Sequence, residues 1–343
     1  MAYISFQPKD YFNTKLYTGN GSTQSITGVG FQPDWVWTKE RSGVCDHHIF
    51  DVLRGATYKI NSASTESSSA DANTLTSFDS DGFSVGTNAC QNNNTDTYVS
   101  WNWKANGAGV SNTDGNITST VSANTTSGFS ISQFTGTGST ATVGHGLGVA
   151  PKLIIAKALG TTSSWWVYHA SVNSTNTDGY LVLNSGAGTA DDATIWTTTA
   201  PTSSLFSIGS AISAHDYVAY CFAEKKGFSK FGSYDGNGSV DGPMIYTGMS
   251  PAIIIAKKTS GVGDWIIWDN KRDGYNETLK RLYPNVTAAE ESSTTQGVDF
   301  LSNGFKLKGT TSNAWNSGGD TYIYMAFAEE PLVSSNEVPA TAR

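Results

Sequence analysis

Trp35, Trp37 and Lys39 alternate with Asp34, Val36 and Thr38, a two-residue period that predicts a β-strand. The same stretch recurs downstream as Leu153-Ile-Ile-Ala156 and Ile253-Ile-Ile-Ala256, apolar on both faces, as expected of a strand buried inside a sheet. A proline precedes each run (Pro33, Pro151, Pro251) and a lysine ends it (Lys39, Lys157, Lys257). Three further landmarks accompany it each time. An aromatic residue and a glycine turn come first, at Tyr17–Ser22, Phe134–Ser139 and Tyr234–Ser239. An aromatic strand follows the run, at His48–Asp51, Trp165–His169 and Trp265–Asp269. Each copy closes on an aromatic strand, at Tyr98–Trp103, Tyr217–Phe222 and Tyr322–Phe327. The second and third copies stay 100 residues apart (251 minus 151) from the proline to the aromatic strand. Four landmarks in one order, three times over, predict three modules.

The intervening pattern is short strands divided by turn signals, with none of the crossover helices that a parallel α/β sheet needs. Asn276–Tyr283 alone has the signature of a capped helix, with Asn276 as N-cap and Pro284 as the stop. Its counterpart Gly179–Asn184 is plainly a strand, so the repeat overrules the local pattern. The fold class expected is all-β, three tandem antiparallel β-sandwich modules of jelly-roll or lectin-like type. The boundaries read as an arm at 1–10, modules at 11–105, 128–225 and 226–330, a Gly/Asn/Thr/Ser-rich linker at 106–127 with one strand at Ile117–Val121, and a tail at 331–343. Three sandwiches in series make a long, rigid shaft or spike.

Composition narrows the class further. Only 15% of residues are charged, against roughly 25% in ordinary domains. The 10 Trp, 15 Tyr and 15 Phe are enough to build cores. A formal charge of −8 argues against nucleic acid as a partner, because phosphate contacts need a basic patch. No run approaches the roughly 18 apolar residues that span a bilayer, and the N-terminus lacks the basic and apolar regions of a signal peptide. Cys45, Cys90 and Cys221 form no CxxC and leave an odd count, which speaks against a disulfide framework. Cys221, inside a strand, reads as a small buried residue.

Motifs that resemble chemistry mostly have simpler explanations. Gly19-Asn-Gly21 has no Gly-Lys-Ser/Thr after it and reads as a hairpin turn. Gly82-Phe-Ser-Val-Gly86 spells a nucleophile elbow, but Ser84 sits inside a strand pattern and the third copy has Lys306 in its place. Cys45-Asp-His-His48 has a metal-site look, yet adjacent strand residues point to opposite faces. His145, His169 and His215 are scattered. Asp79 and Asp81 fit Asx-turn chemistry better than a calcium site. Asp96, Asp216 and Asp320 precede the closing strands one per module, not as the pair that glycoside cleavage needs. The sequons at Asn20, Asn116, Asn124 and Asn237 are without a secretory signal, and those in the glycine turns read as residues suited to positive φ. No catalytic residue, metal ligand or cofactor site is expected. Trp196 and Trp315 fall in polar, turn-like stretches and are the candidate surface contacts.

The set formed by Tyr17-Thr-Gly-Asn-Gly-Ser22, Val143–Pro151, Asn270-Lys-Arg-Asp273, Gly319–Glu329 and the ending Val338-Pro-Ala-Thr-Ala-Arg343 resembles a group of repeat-containing virion proteins of marine tailed bacteriophages, described as tail or structural proteins. The resemblance covers nearly the whole chain. It implies a non-enzymatic part of a virus particle, made in the host cytoplasm, with itself and other virion proteins as partners and a host glycan or protein as receptor. A tail fibre or adhesin is the first expectation and a capsid or neck fibre or decoration the alternative. A glycan-binding or glycan-cleaving module is the reading from another class.

Overall fold

The computed structural model describes residues 4–172, 178–309, 314–333 and 338–341. It is all-β, built of antiparallel sheets, with one short helix at Ala89–Asn92 and a 3-10 turn at Pro8–Asp10 among the described residues. Twelve strands form the frame. They are β1 (Phe12–Thr18), β2 (Trp35–Glu40), β3 (His48–Asp51), β4 (Thr97–Trp103), β5 (Phe129–Thr135), β6 (Leu153–Ala158), β7 (Trp166–His169), β8 (Asp216–Phe222), β9 (Ser229–Asp235), β10 (Met249–Lys258), β11 (Trp265–Asp269) and β12 (Thr321–Pro331). Three sheets share one order: β1-β4-β2-β3, β5-β8-β6-β7 and β9-β12-β10-β11. Tyr58–Asn61 and Ser69–Ala70 extend the first sheet, and Gly179–Val182 and Ala190–Asp191 extend the second at the same edge.

Each sheet is covered on both faces, which explains the runs without polar alternation. On the outer face lies a small sheet formed mainly by the polar turn-rich segments: Gln24–Thr27 with Gly82–Val85 and Leu75–Asp79, Ala141–Gly144 with Leu205–Ile208, and Asp241–Tyr246 with Gly304–Gly309 and Gln296–Leu301. Val36 and Phe50, Ile154 and Tyr168, or Ile254 and Trp268 pack outward beneath these small sheets. Trp35, Trp37, Leu153, Ile155, Ile253 and Ile255 point the other way, into one core common to all three sheets. The alternation of a strand thus divides its residues between two cores, both apolar.

The three sheets close a ring about the common core. At the end of the closing strands, Trp103, Phe222 and Phe327 occupy equivalent register positions. Their rings meet one another at centroid distances of 5.4, 5.6 and 6.5 Å. Around them the sheets are joined by backbone hydrogen bonds at matching places: Ser68 N donates to Leu159 O (2.9 Å), Thr189 N to Thr259 O (3.0 Å) and Glu290 N to Arg41 O (2.9 Å). The last bond joins the third sheet back to the first. The arrangement is therefore a closed ring and not a shaft of sandwiches in series. The physical reason is the second apolar face, since a sandwich with an exposed row of Trp, Leu and Ile would present a large apolar patch to water.

Two boundary expectations change with this. Residues 106–127 are not a free linker: Val110–Asn112 pairs with Ser119–Asn124, which pairs with β5, so the segment adds two strands to the second sheet. Nor is the N-terminal segment a loose arm, because Ile4 is buried in the common core and Phe6 packs edge-on to Tyr11 and Phe228. Asn276–Tyr283 is not helical, and in its second half Lys280–Arg281 is a short strand. Thr278 and Leu282 bridge to Val298 and Ile267, and Asp273 accepts the Leu279 and Lys280 amides at 2.7 Å. These pairings outweigh the local helical signal.

Candidate functional site

The residues nominated from sequence as surface contacts are core residues. Trp196 is 2% exposed and packs against Tyr168 and Phe206, and Trp315 is 4% exposed beside Trp268 and Tyr283. Each lies in an irregular segment that folds over the outer face of its sheet. A turn-like sequence gave no sign that the turn closes a core.

The glycine turns are also internal machinery. Asn20 N donates to Asn92 Oδ1 at 2.9 Å and Asn237 N to Asn316 Oδ1 at 2.9 Å, while both partner asparagines are buried. Asn20 and Asn237 accept the Ser22 and Ser239 amides. The positive φ falls on Gly21 (70°) and Gly238 (65°), not on the asparagines as the sequons suggested. Asn116 and Asn124 serve likewise, binding Thr142 N and Ala105 O.

Cys45 and Cys90 form a disulfide, against expectation. The 45-residue separation hid the pairing, which brings the loop before β3 onto the short helix. Glu40, Cys45 and Cys90 form the one group of potential metal ligands among the described residues, and two of the three are joined by that bond. His47 and His48 are buried and bound to protein. Trp37 Nε1 donates to His47 Nδ1 (3.0 Å), and Gln91 Nε2 lies 2.7 Å from His48 Nδ1. Burial holds His48 down at about 3 and His47 well below the usual range. Cys221 is buried and its thiol is pushed far up by burial. His145 Nδ1 caps Leu147 N, and His215 is exposed at a turn. Ser84 bonds Ser25 and Asp79 (2.9 and 2.7 Å), and Asp81 accepts the Gly28 and Gly30 amides. Asp96 binds Asn93 Nδ2, Asp216 binds Thr135 Oγ1 and Asp320 binds Ser260 and Lys258. Asp216 occupies the register place of Thr97 and Thr321, so the three acids are not equivalent.

Polar chemistry gathers instead at the three boundaries of the ring. Asp51, at the end of β3, holds Arg54 at 2.5 Å and accepts the Tyr220 hydroxyl of the second sheet at 2.7 Å. Asp269, at the end of β11, holds Arg272 at 2.6 Å and accepts Trp101 Nε1 of the first sheet at 3.0 Å. At the third equivalent place stands His169. Its Nδ1 accepts Ser171 N, which leaves Nε2 to donate to Tyr324 O of the third sheet at 3.2 Å. The third-sheet residue equivalent to Tyr220 and Trp101 is Met325, which has no proton to offer an aspartate. Above these pairs Trp165 Nε1 donates to Asn61 O and Trp265 Nε1 to Val182 O, each at 2.9 Å. His47 takes the matching place at the closing boundary and turns Nε2 toward the Tyr283 carbonyl without completing a regular hydrogen bond. Lys39, Lys157 and Lys257 are buried at the far end of the same strands, and burial lowers each to about 8.

Clefts lie at two of the boundaries among the described residues. Between the second and third sheets a cavity of about 360 Å³ is lined by Thr189, Ser233, Asp235, Thr259, Ser260 and Thr321. Between the first and second, one of about 260 Å³ is lined by Arg54, Tyr58, Ser68, Gln133, Leu159 and Asp216. They are the same place, since Ser68–Leu159 and Thr189–Thr259 are the matching backbone contacts. At the closing boundary Arg41 makes a bidentate pair with Glu290 (2.8 and 2.9 Å), which also meets Arg272 at 3.2 Å.

Over residues 7–331 the sequence matches the family described as Domain of unknown function (DUF7483). The chain belongs to that family. No curated protein matches it. The match spans all three sheets, so the ring is the architecture of this DUF7483 member as a whole.

Proposed function

We propose that the protein is a structural component of a bacteriophage particle, a tail fibre or adhesin part that contacts the host surface. The observation that carries this reading is where the chain places its chemistry. The buried ionised groups are bonded to partners inside the protein, Asp51, Asp269, Lys157 and Lys257 reaching across the ring, and the tryptophans are packed into the common and outer cores, as suits a passive, rigid part. The virion-protein resemblance of the sequence supports the same role. Three copies of one sandwich-like unit in a single chain build the kind of threefold core that a trimer would otherwise assemble.

The polarity of the ring suits one-ended attachment. Phe12, Trp103 and Phe327, with the segments 4–11, 331–333 and 338–341, lie at one end, and the turns at Gly19, Gly136 and Gly236 lie at the other. The first end docks on other virion proteins in this reading, leaving the turns and the adjoining clefts outward. Gold-labelled antibody on negatively stained particles tests it. Label at the tail supports the adhesin role, label on capsid or neck transfers the role to decoration, and unlabelled particles contradict the proposal.

A further inference from the structure

The cleft between the first and second sheets continues beyond its own walls. A second cavity of about 250 Å³ lies beside it over β5 and the strand Ser119–Asn124, lined by Thr118, Thr120 and Thr135. Gln133 and Asp216 line both cavities, so the two are neighbouring compartments of one groove.

The groove's chemistry is specific. At one end Tyr58 is 47% exposed and offers an aromatic face. Midway, the Gln133 amide has no hydrogen-bond partner among the described residues, although most polar side chains around it are engaged. Beside it the Asp216 carboxylate accepts one bond, from Thr135 Oγ1 at 2.6 Å, and has further acceptor sites open. Arg54 also lines the wall but is saturated by Asp51, the Tyr58 carbonyl and the Ile49 carbonyl. Its charge is met inside the protein, which leaves Asp216 as the uncompensated charge of the lining.

An aromatic face, a free carboxamide, a carboxylate and a row of threonine hydroxyls match a chain of sugar rings. The apolar face of a pyranose stacks on an aromatic ring, and its vicinal hydroxyls donate to carboxylate and amide oxygens. The negative carboxylate disfavours an acidic sugar. We propose that this groove binds a neutral hexose oligosaccharide, with Tyr58 as the stacking platform and Gln133 and Asp216 as the polar contacts between adjoining sugar units. This names the ligand class for the host-contact role and rests on that reading.

The test titrates the full chain with neutral hexose trisaccharides of glucose, galactose and mannose, and with a sialylated trisaccharide, by saturation-transfer NMR. Tyr58→Ala and Asp216→Asn, at exposed positions, and Gln133→Ala, at a half-buried one, are tested beside the wild type, with unfolding curves to confirm the fold. Binding of at least one neutral trisaccharide, weakened about tenfold or more by Tyr58→Ala and by Asp216→Asn, supports the proposal. Absence of binding to all neutral probes, binding indifferent to the three substitutions, or tighter binding of the sialylated probe overturns it. Cell binding separates the two layers. Variants that bind host cells as wild type does refute the groove while adhesion stands. A chain that binds trisaccharide in the groove but no cells refutes adhesion while the groove stands.

Discussion

The boundary between the third and first sheets and the boundary between the first and second are built on the same backbone contact, yet an ion pair bridges one and a cleft opens at the other. At the first of these, Arg41 stands where the other carries Leu159, and Glu290 stands where it carries Ser68. The long charged pair spans the contact in one case, and a leucine and a serine line a cleft in the other. Strand order and hydrogen bonding fix the frame, so the side chains at a few equivalent positions decide whether a boundary locks the ring or presents a surface.

The buried acids give the largest expected differences. Asp51→Ala and Asp269→Ala each strand a buried arginine and a second donor, Tyr220 or Trp101, and each costs about 3–5 kcal/mol in urea unfolding. His169→Ala, at the equivalent place without an arginine, costs about 1–3 kcal/mol. Equal losses at all three places would remove the distinction. Reducing the Cys45–Cys90 disulfide, present only in the first sheet's unit, lowers stability by about 2–4 kcal/mol, read as the shift in midpoint with and without reductant.

Acid acts on the histidines of the ring. His48 and His169 are held at about 3 and about 4 by burial, while an unfolded histidine titrates near 6.5. Between those values the unfolded chain binds protons that the folded chain refuses, so stability falls as pH drops from about 6.5 to 4. The three buried lysines at about 8 act in another window, where the unfolded chain keeps its protons up to about 10.4. Stability therefore gains a rising contribution between pH 8 and 10. A melting temperature flat from pH 7 to 4 would contradict the burial of the histidines. The smallest effect is expected at the axis. Trp103→Phe removes an indole N–H that has no partner and copies the Phe222 and Phe327 rings, so it costs less than about 1.5 kcal/mol.

Much of the frame was legible in the sequence. The proline-led apolar runs marked β2, β6 and β10, and the repeated copy of a strand corrected a helical signal at Asn276–Tyr283. The ring was not legible, although its cause was on view: runs apolar on both faces need two covers, and only one can come from the unit itself. The contact residues failed for a local reason, because the polar neighbours of Trp196 and Trp315 conceal that these turns cap a core. The disulfide failed because spacing carries no information on which loops a fold brings together. The groove is not legible in the sequence, since Tyr58, Gln133 and Asp216 lie far apart in the chain and no spacing or motif links them.

The central claim is that the third sheet returns to the first, and size in solution tests it most directly. Small-angle scattering of the monomeric fraction should give a radius of gyration of about 20 Å for a compact chain of 343 residues. A value near 30 Å, as for three separate sandwiches of about 13 Å each set in line, would contradict the ring.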